Sequence, residues 1–129
     1  MARPILLIED NEQNRYLARF LLEQHGYAVE VAADGPTGIE AAHRLDPMMI
    51  LLDIQLPRMD GYAVARALRA DPTLAGTPIV AVTSYAMPGD REKALAAGCT
   101  GYVEKPIDPD TFVSALHTFG LPAPGDEAR

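Results

Sequence analysis

The segment Met48-Met49-Ile50-Leu51-Leu52-Asp53-Ile54-Gln55-Leu56-Pro57-Arg58-Met59-Asp60-Gly61 decides how the rest of the chain is read. Its first five residues are an unbroken apolar run, the pattern of a parallel strand buried on both faces. The run stops on a carboxylate, Asp53. The loop beyond is stiffened by Pro57 and closed by Asp60-Gly61. Ligands of an open α/β sheet bind outside the carboxyl ends of its strands, so Asp53 is aimed at a site. A strand-end aspartate also serves as a plain turn cap, and the remaining strands have to decide between the two.

Working outward, Pro4 to Ile8 is a second apolar run, and it ends in Glu9-Asp10-Asn11. Asn11 or Asp10 can cap the helix that follows. Leu17, Ala18, Phe20, Leu21 and Gln24 flank the inner face of that helix, and Gly26 is its stop. Tyr27 to Ala33 reads as a shorter strand, and Asp34-Gly35-Pro36 turns into a helix through Ile39, Ala42 and Leu45. Asp46-Pro47 ends that helix before the central strand. Beyond Gly61, Val64, Ala65, Ala67 and Leu68 fall at helical spacing. Ile79 to Thr83 is the fourth strand and also finishes on a polar residue.

The helix expected over about Pro88 to Ala97 has Leu95 as its only large apolar residue. With so little to bury it should be weakly held and mobile. Gly101 to Glu104 is a short fifth strand ending at Lys105-Pro106. Asp108-Pro109 introduces a last helix with the inner stripe Phe112, Leu116 and Phe119. Five strands alternating with five helices make an α/β doubly wound parallel sheet with helices on both faces. The flavodoxin-like strand order 2-1-3-4-5 brings Glu9, Asp10 and Asp53 together. Residues 3–119 form one domain, and 120–129, without periodicity, read as a disordered tail.

Composition narrows the classes of function. A chain of 129 residues holds one sizeable core. A net charge of −7 argues against nucleic-acid binding, which needs a basic surface. No run is as long as a membrane span and no signal pattern opens the chain, so no membrane association is expected. The single cysteine, Cys99, makes no internal disulfide, and the expected compartment is the cytoplasm. His25, His43 and His117 lack metal-ligand spacing.

Four strands thus end in Glu9-Asp10, Asp53, Thr83 and Lys105 at one edge of the sheet. Two carboxylates about 4 Å apart repel by roughly 4 kcal/mol at an effective dielectric near 20, so protons or a cation must offset a cluster of them. Hard oxygen ligands with room for water suit Mg²⁺. Lys105 supplies one positive charge that can shift between a carboxylate and an incoming phosphate. A carboxylate is an accepted nucleophile for aspartyl-phosphate formation, and Asp53 is the central candidate.

Over residues 3–119 the chain resembles the receiver domains of the two-component response-regulator family. Glu9-Asp10-Asn11, the Asp53 to Gly61 segment, Val82-Thr83-Ser84 and Lys105-Pro106 fall in that family's order and spacing. The resemblance implies that Asp53 is the phosphoacceptor, and that Glu9, Asp10, Asp53 and the Gln55 backbone carbonyl hold Mg²⁺. It implies that Thr83, Ser84 and Lys105 line the phosphoryl site, with the Lys105-Pro106 bond cis. Gln55 and Tyr85 occupy rate-tuning positions, and Thr83 with Tyr102 forms the switch. Glu9 stands where aspartate is more usual, and Ser84 where alanine is.

The implied partners are a histidine kinase or histidine phosphotransfer protein, docking on the first helix around Arg15 and Tyr16. A downstream protein would be reached through the fourth helix, fifth strand and fifth helix. A homodimer is compatible with this reading. The implied role is that of a single-domain signalling protein and phosphoacceptor, not an enzyme. A receiver from a hybrid histidine kinase would look similar, and the start at Met1 favours the stand-alone form. A Mg²⁺-dependent aspartyl-phosphate phosphohydrolase needs Asp-x-Asp spacing and a cap insertion, neither of which is found. A flavin carrier needs a phosphate-cradling loop where Glu9-Asp10-Asn11-Glu12 would repel phosphate.

Overall fold

Each apolar run of the sequence is a strand, and each strand leads into a helix. In the computed structural model, which describes residues 3–84 and 87–124, the strands are β1 (Ile5–Ile8), β2 (Val29–Ala32), β3 (Met49–Asp53), β4 (Ile79–Thr83) and β5 (Gly101–Glu104). The helices are α1 (Glu12–Gln24), α2 (Gly35–Leu45), α3 (Gly61–Arg69), α4 (Asp90–Ala96) and α5 (Phe112–Thr118). All strand pairs are parallel, in the order β2-β1-β3-β4-β5.

Successive strand residues point to opposite faces of a sheet, and the two faces here feed two cores. Ile5, Leu7, Met49, Leu51, Val80 and Val82 pack with α1 and α5. Leu6, Ile8, Ile50, Leu52, Ile79 and Ala81 pack with residues of α2, α3 and α4. Close approach is needed on the second face. A Cβ at Gly38 of α2 would stand 2.5 Å from Ile8 Cδ1, and one at Gly61 would stand 2.4 Å from Ile54 Cα. Gly61 N–H bonds the Ile54 carbonyl at 3.1 Å, so the loop after Asp53 is pinched shut where α3 begins.

Several details depart from the sequence expectations. On α1 the buried residues are Ala18, Leu21 and Leu22, while Phe20 is 46 % exposed and Gln24 is exposed. The apolar residues of α1 spread over more than one arc, and the arc centred on Leu22 meets the sheet. On α4 the buried residue is Ala94, and Leu95 turns outward at 44 % exposure. The final helix starts at Phe112, after a turn in which Thr111 N–H and Phe112 N–H both donate to the Asp108 carbonyl. Its third buried residue is Val113, with Phe119 half-buried beyond its end.

The expected disorder does not begin at Gly120. Leu121 is buried in the first core, and the Tyr27 hydroxyl donates to the Pro122 carbonyl. An apolar side chain with a pocket to fill overrides the tail's lack of periodicity. Residues 125–129 lie outside the described residues. Among the described residues no helix is long and apolar enough to cross a membrane.

Candidate functional site

The acidic site is built from three strand ends. β1 terminates at Ile8 because Glu9 leaves the apolar layer, yet Glu9 N–H still bonds the Ala32 carbonyl at 3.0 Å and its side chain stays 3 % exposed. Asn11 then caps α1, its side chain accepting from Asn14 N–H at 2.9 Å. Asn11 N–H donates to Glu9 Oε2 at 3.2 Å, so the start of α1 and the Glu9 carboxylate hold each other. Asp53 is the last residue of β3 and is also 3 % exposed. Its Oδ1 accepts from Gln55 N–H at 2.9 Å.

Lys105 reaches across from the end of β5. Its Nζ lies 2.9 Å from Glu9 Oε1 and 3.4 Å from Asp53 Oδ2. The Lys105–Pro106 peptide bond is cis. Lys105 N–H bonds the Thr83 carbonyl at 2.7 Å, which ties the lysine to the end of β4. Oxygens of Glu9, Asp10 and Asp53 all lie within 4.8 Å of one another, with Asp10 on the exposed side.

The charge is unbalanced. Three carboxylates face one ammonium. Burial is the largest cause that lifts the Glu9 carboxyl, to about 7; its hydrogen bond with Asp53 adds to this, and Lys105 opposes it. A site that retains a proton for lack of positive charge fits a small hard cation. Glu9, Asp10 and Asp53 offer it oxygens, and the exposed side leaves room for water.

The remaining sequence candidates distribute around this centre. Thr83, buried, ends β4 one residue beyond Val82, the register partner of Asp53. Ser84 and Gln55 meet at the rim, the Ser84 hydroxyl donating to Gln55 Oε1 at 2.9 Å. Tyr102 lies two residues further down the sheet than the Thr83–Glu104 pair, opposite Ala81, half-buried against the second core. Tyr85 lies outside the described residues. Sequence reasoning set Arg15 on a docking face and missed a further contact: its guanidinium turns back to the carbonyls of Glu9 and Asp10. The available signal was its place four residues after the Asn11 cap.

The family model described as the response regulator receiver domain matches residues 5–117. The chain belongs to this family. The receiver is 36 % identical over 119 residues to the polar-differentiation response regulator DivK of Brucella ovis, covering 92 % of this chain and 97 % of that protein. Its fold is similar to chemotaxis protein CheY4 of Vibrio cholerae, with TM-score 0.87, 28 % identity, and coverage of 92 % and 99 %. It is also similar to the receiver domain of a sensor histidine kinase of Pseudomonas aeruginosa PAO1, with TM-score 0.84 and 36 % identity over 92 % and 98 % of the two chains. That structure holds a magnesium ion coordinated in its active-site cleft.

Proposed function

We propose that this receiver accepts a phosphoryl group on Asp53 from a phosphohistidine of a histidine kinase or histidine phosphotransfer protein, with Mg²⁺, in the cytoplasm. The observation that carries the reading is Lys105 Nζ bridging Glu9 and Asp53 over a buried strand-end carboxylate. Glu9, Asp10, Asp53 and the Gln55 carbonyl would hold the ion, whose chemistry is to neutralise charge on the phosphoryl oxygens.

The chain's own groups account for the rest. Gln55 N–H on Oδ1 fixes the rotation of the Asp53 carboxylate, so that an oxygen is presented in line to phosphorus. The new bond is O–P, the broken one P–N, and the donor imidazole leaves with the electron pair, neutral because its other ring nitrogen already carries a proton. Lys105 exchanges a carboxylate contact for a phosphoryl oxygen as charge moves outward, and Thr83 and Ser84 contribute hydroxyls on that side. The Ser84–Gln55 bond at the rim, with Tyr85, governs the approach of hydrolytic water.

Movement of Thr83 toward the phosphoryl group would be relayed to Tyr102 and α4. Along this route lies a groove of about 140 Å³ lined by Arg91, Leu95, Thr100, Gly101, Tyr102 and Phe119, which supports a downstream partner docking on the α4, β5 and α5 face. The donor docks on α1, where Tyr16 and Phe20 stack at 6.2 Å between ring centroids and are 71 % and 46 % exposed. The likeness to a sensor-kinase receiver favours a relay setting as well as a stand-alone one.

Intact-mass spectrometry after acetyl phosphate treatment tests the chemistry. One Mg²⁺-dependent phosphoryl adduct is expected on the wild type and none on Asp53→Asn. An adduct that persists in the mutant refutes the assignment of Asp53.

A further inference from the structure

Arg15 stands in the first turn of α1, and its N–H bonds the Asn11 carbonyl at 2.9 Å. Helical side chains lean toward the amino terminus, and this one lies back over the cap. Its Nη1 donates to the Glu9 carbonyl at 3.3 Å and to the Asp10 carbonyl at 3.2 Å. Those two carbonyls belong to the residues that supply two of the three converging carboxylates. Glu9 is also secured through its carboxylate, by Asn11 N–H and Lys105. Asp10 is exposed, so its backbone placement governs where its carboxylate stands.

We propose that Arg15 is a positioning residue for the cation site: it holds the Glu9-Asp10 turn in the orientation that presents both carboxylates, and it acts through these two hydrogen bonds. The inference rests on the metal-site reading above. Charge and geometry make opposite demands here. A guanidinium beside the carboxylates repels a divalent cation, so on charge alone its removal would tighten binding. As an anchor of the ligand loop its removal would weaken binding, as loss of partners that orient metal ligands does.

Mn²⁺ serves as the probe, with free ion counted by its electron paramagnetic resonance signal at a temperature where each variant is folded by circular dichroism. Arg15→Met keeps the apolar stem and removes the donors; its dissociation constant is expected to rise about tenfold. Arg15→Lys, which keeps the positive charge and N–H donors on a similar stem, is expected to recover most of that loss. Arg19→Ala, one turn further along α1 and paired with Glu23 at 3.2 Å, is expected to leave the affinity unchanged. Should Arg15→Met not fold, Arg15→Leu carries the same expectation.

Unchanged or tighter binding in Arg15→Met overturns the proposal, as does an equal loss in Arg15→Lys. Failure of the wild type itself to bind Mn²⁺ at millimolar concentration would instead remove the metal-site reading on which the proposal rests.

Discussion

The two helices α1 and α4 are built to opposite specifications. α1 has 13 residues, an Asn11 side-chain cap, and three buried residues facing the sheet. α4 has seven residues, is preceded at its cap by Gly89 with φ of 92° and no side-chain cap bond, and buries only Ala94. Most helical stability in a folded protein comes from packing an apolar face, so the two differ in what holds them more than in propensity. The difference separates a well-anchored helix from a weakly anchored one. Glu9, Asp10 and the exposed aromatics Tyr16 and Phe20 sit on or beside the better-anchored helix, while the proposed route outward from Thr83 passes the loosely held one. Low local stability is required of elements that move.

The largest test of this contrast is Leu22→Ala in α1. Leu22 is fully buried, and its truncation should cost about 2–5 kcal/mol in urea unfolding. A cost below about 0.5 kcal/mol, the level of an ordinary surface change, would mean that α1 is no better anchored than α4.

The next concerns the base of α1, where Glu9 and Asn11 hold each other. The folded chain keeps the Glu9 proton up to about pH 7, whereas an ordinary glutamate releases it near 4.5. In that window the unfolded state binds fewer protons, so stability of the metal-free protein falls as pH rises. The contribution is complete below pH 4.5 and lost by about pH 7. Asp34 and Asp71, held below their ordinary value by the backbone N–H groups of Thr37 and Thr73, act in the opposite direction below pH 3.8. Glu9→Gln should flatten the profile between about pH 4.5 and 7. An unaltered slope would place its origin elsewhere.

The smallest expected effect is that of Leu95→Ala, within about 0.5 kcal/mol, because the side chain faces outward. Alongside it, amide exchange should be faster in α4 than in α1. Equal protection of the two would abolish the distinction.

The sheet is legible in the sequence because each buried strand is an apolar run, and the convergence of Glu9, Asp10 and Asp53 follows from where those runs stop. The inner faces of the helices are harder to read. Leu17, Phe20, Leu21 and Leu22 offer more than one apolar arc along α1, and tertiary packing chose the one containing Leu22 over the one containing Phe20. Leu95 misleads for a related reason: α4 packs so closely that alanine, not leucine, fills the contact. Arg15 is hard to read because charged residues on a first helical turn ordinarily face water, and its place four residues after the Asn11 cap is a faint signal of a bond to carbonyls five and six residues back. Leu121 lies in a segment whose composition suggests disorder, and only the pocket beside Tyr27 explains its burial.

That clasp also gives the molecule a polarity useful at the bench. Arg3 bonds the Asp46 and Pro47 carbonyls ahead of β3, and Pro122 is held by Tyr27 ahead of β2. Both points lie on the rim of the sheet away from the acidic strand ends. A fluorophore or surface tether attached beyond Arg3 or Pro124 would therefore leave the carboxylates open to solution. An immobilised receiver could be presented to its donors with the reactive rim outward.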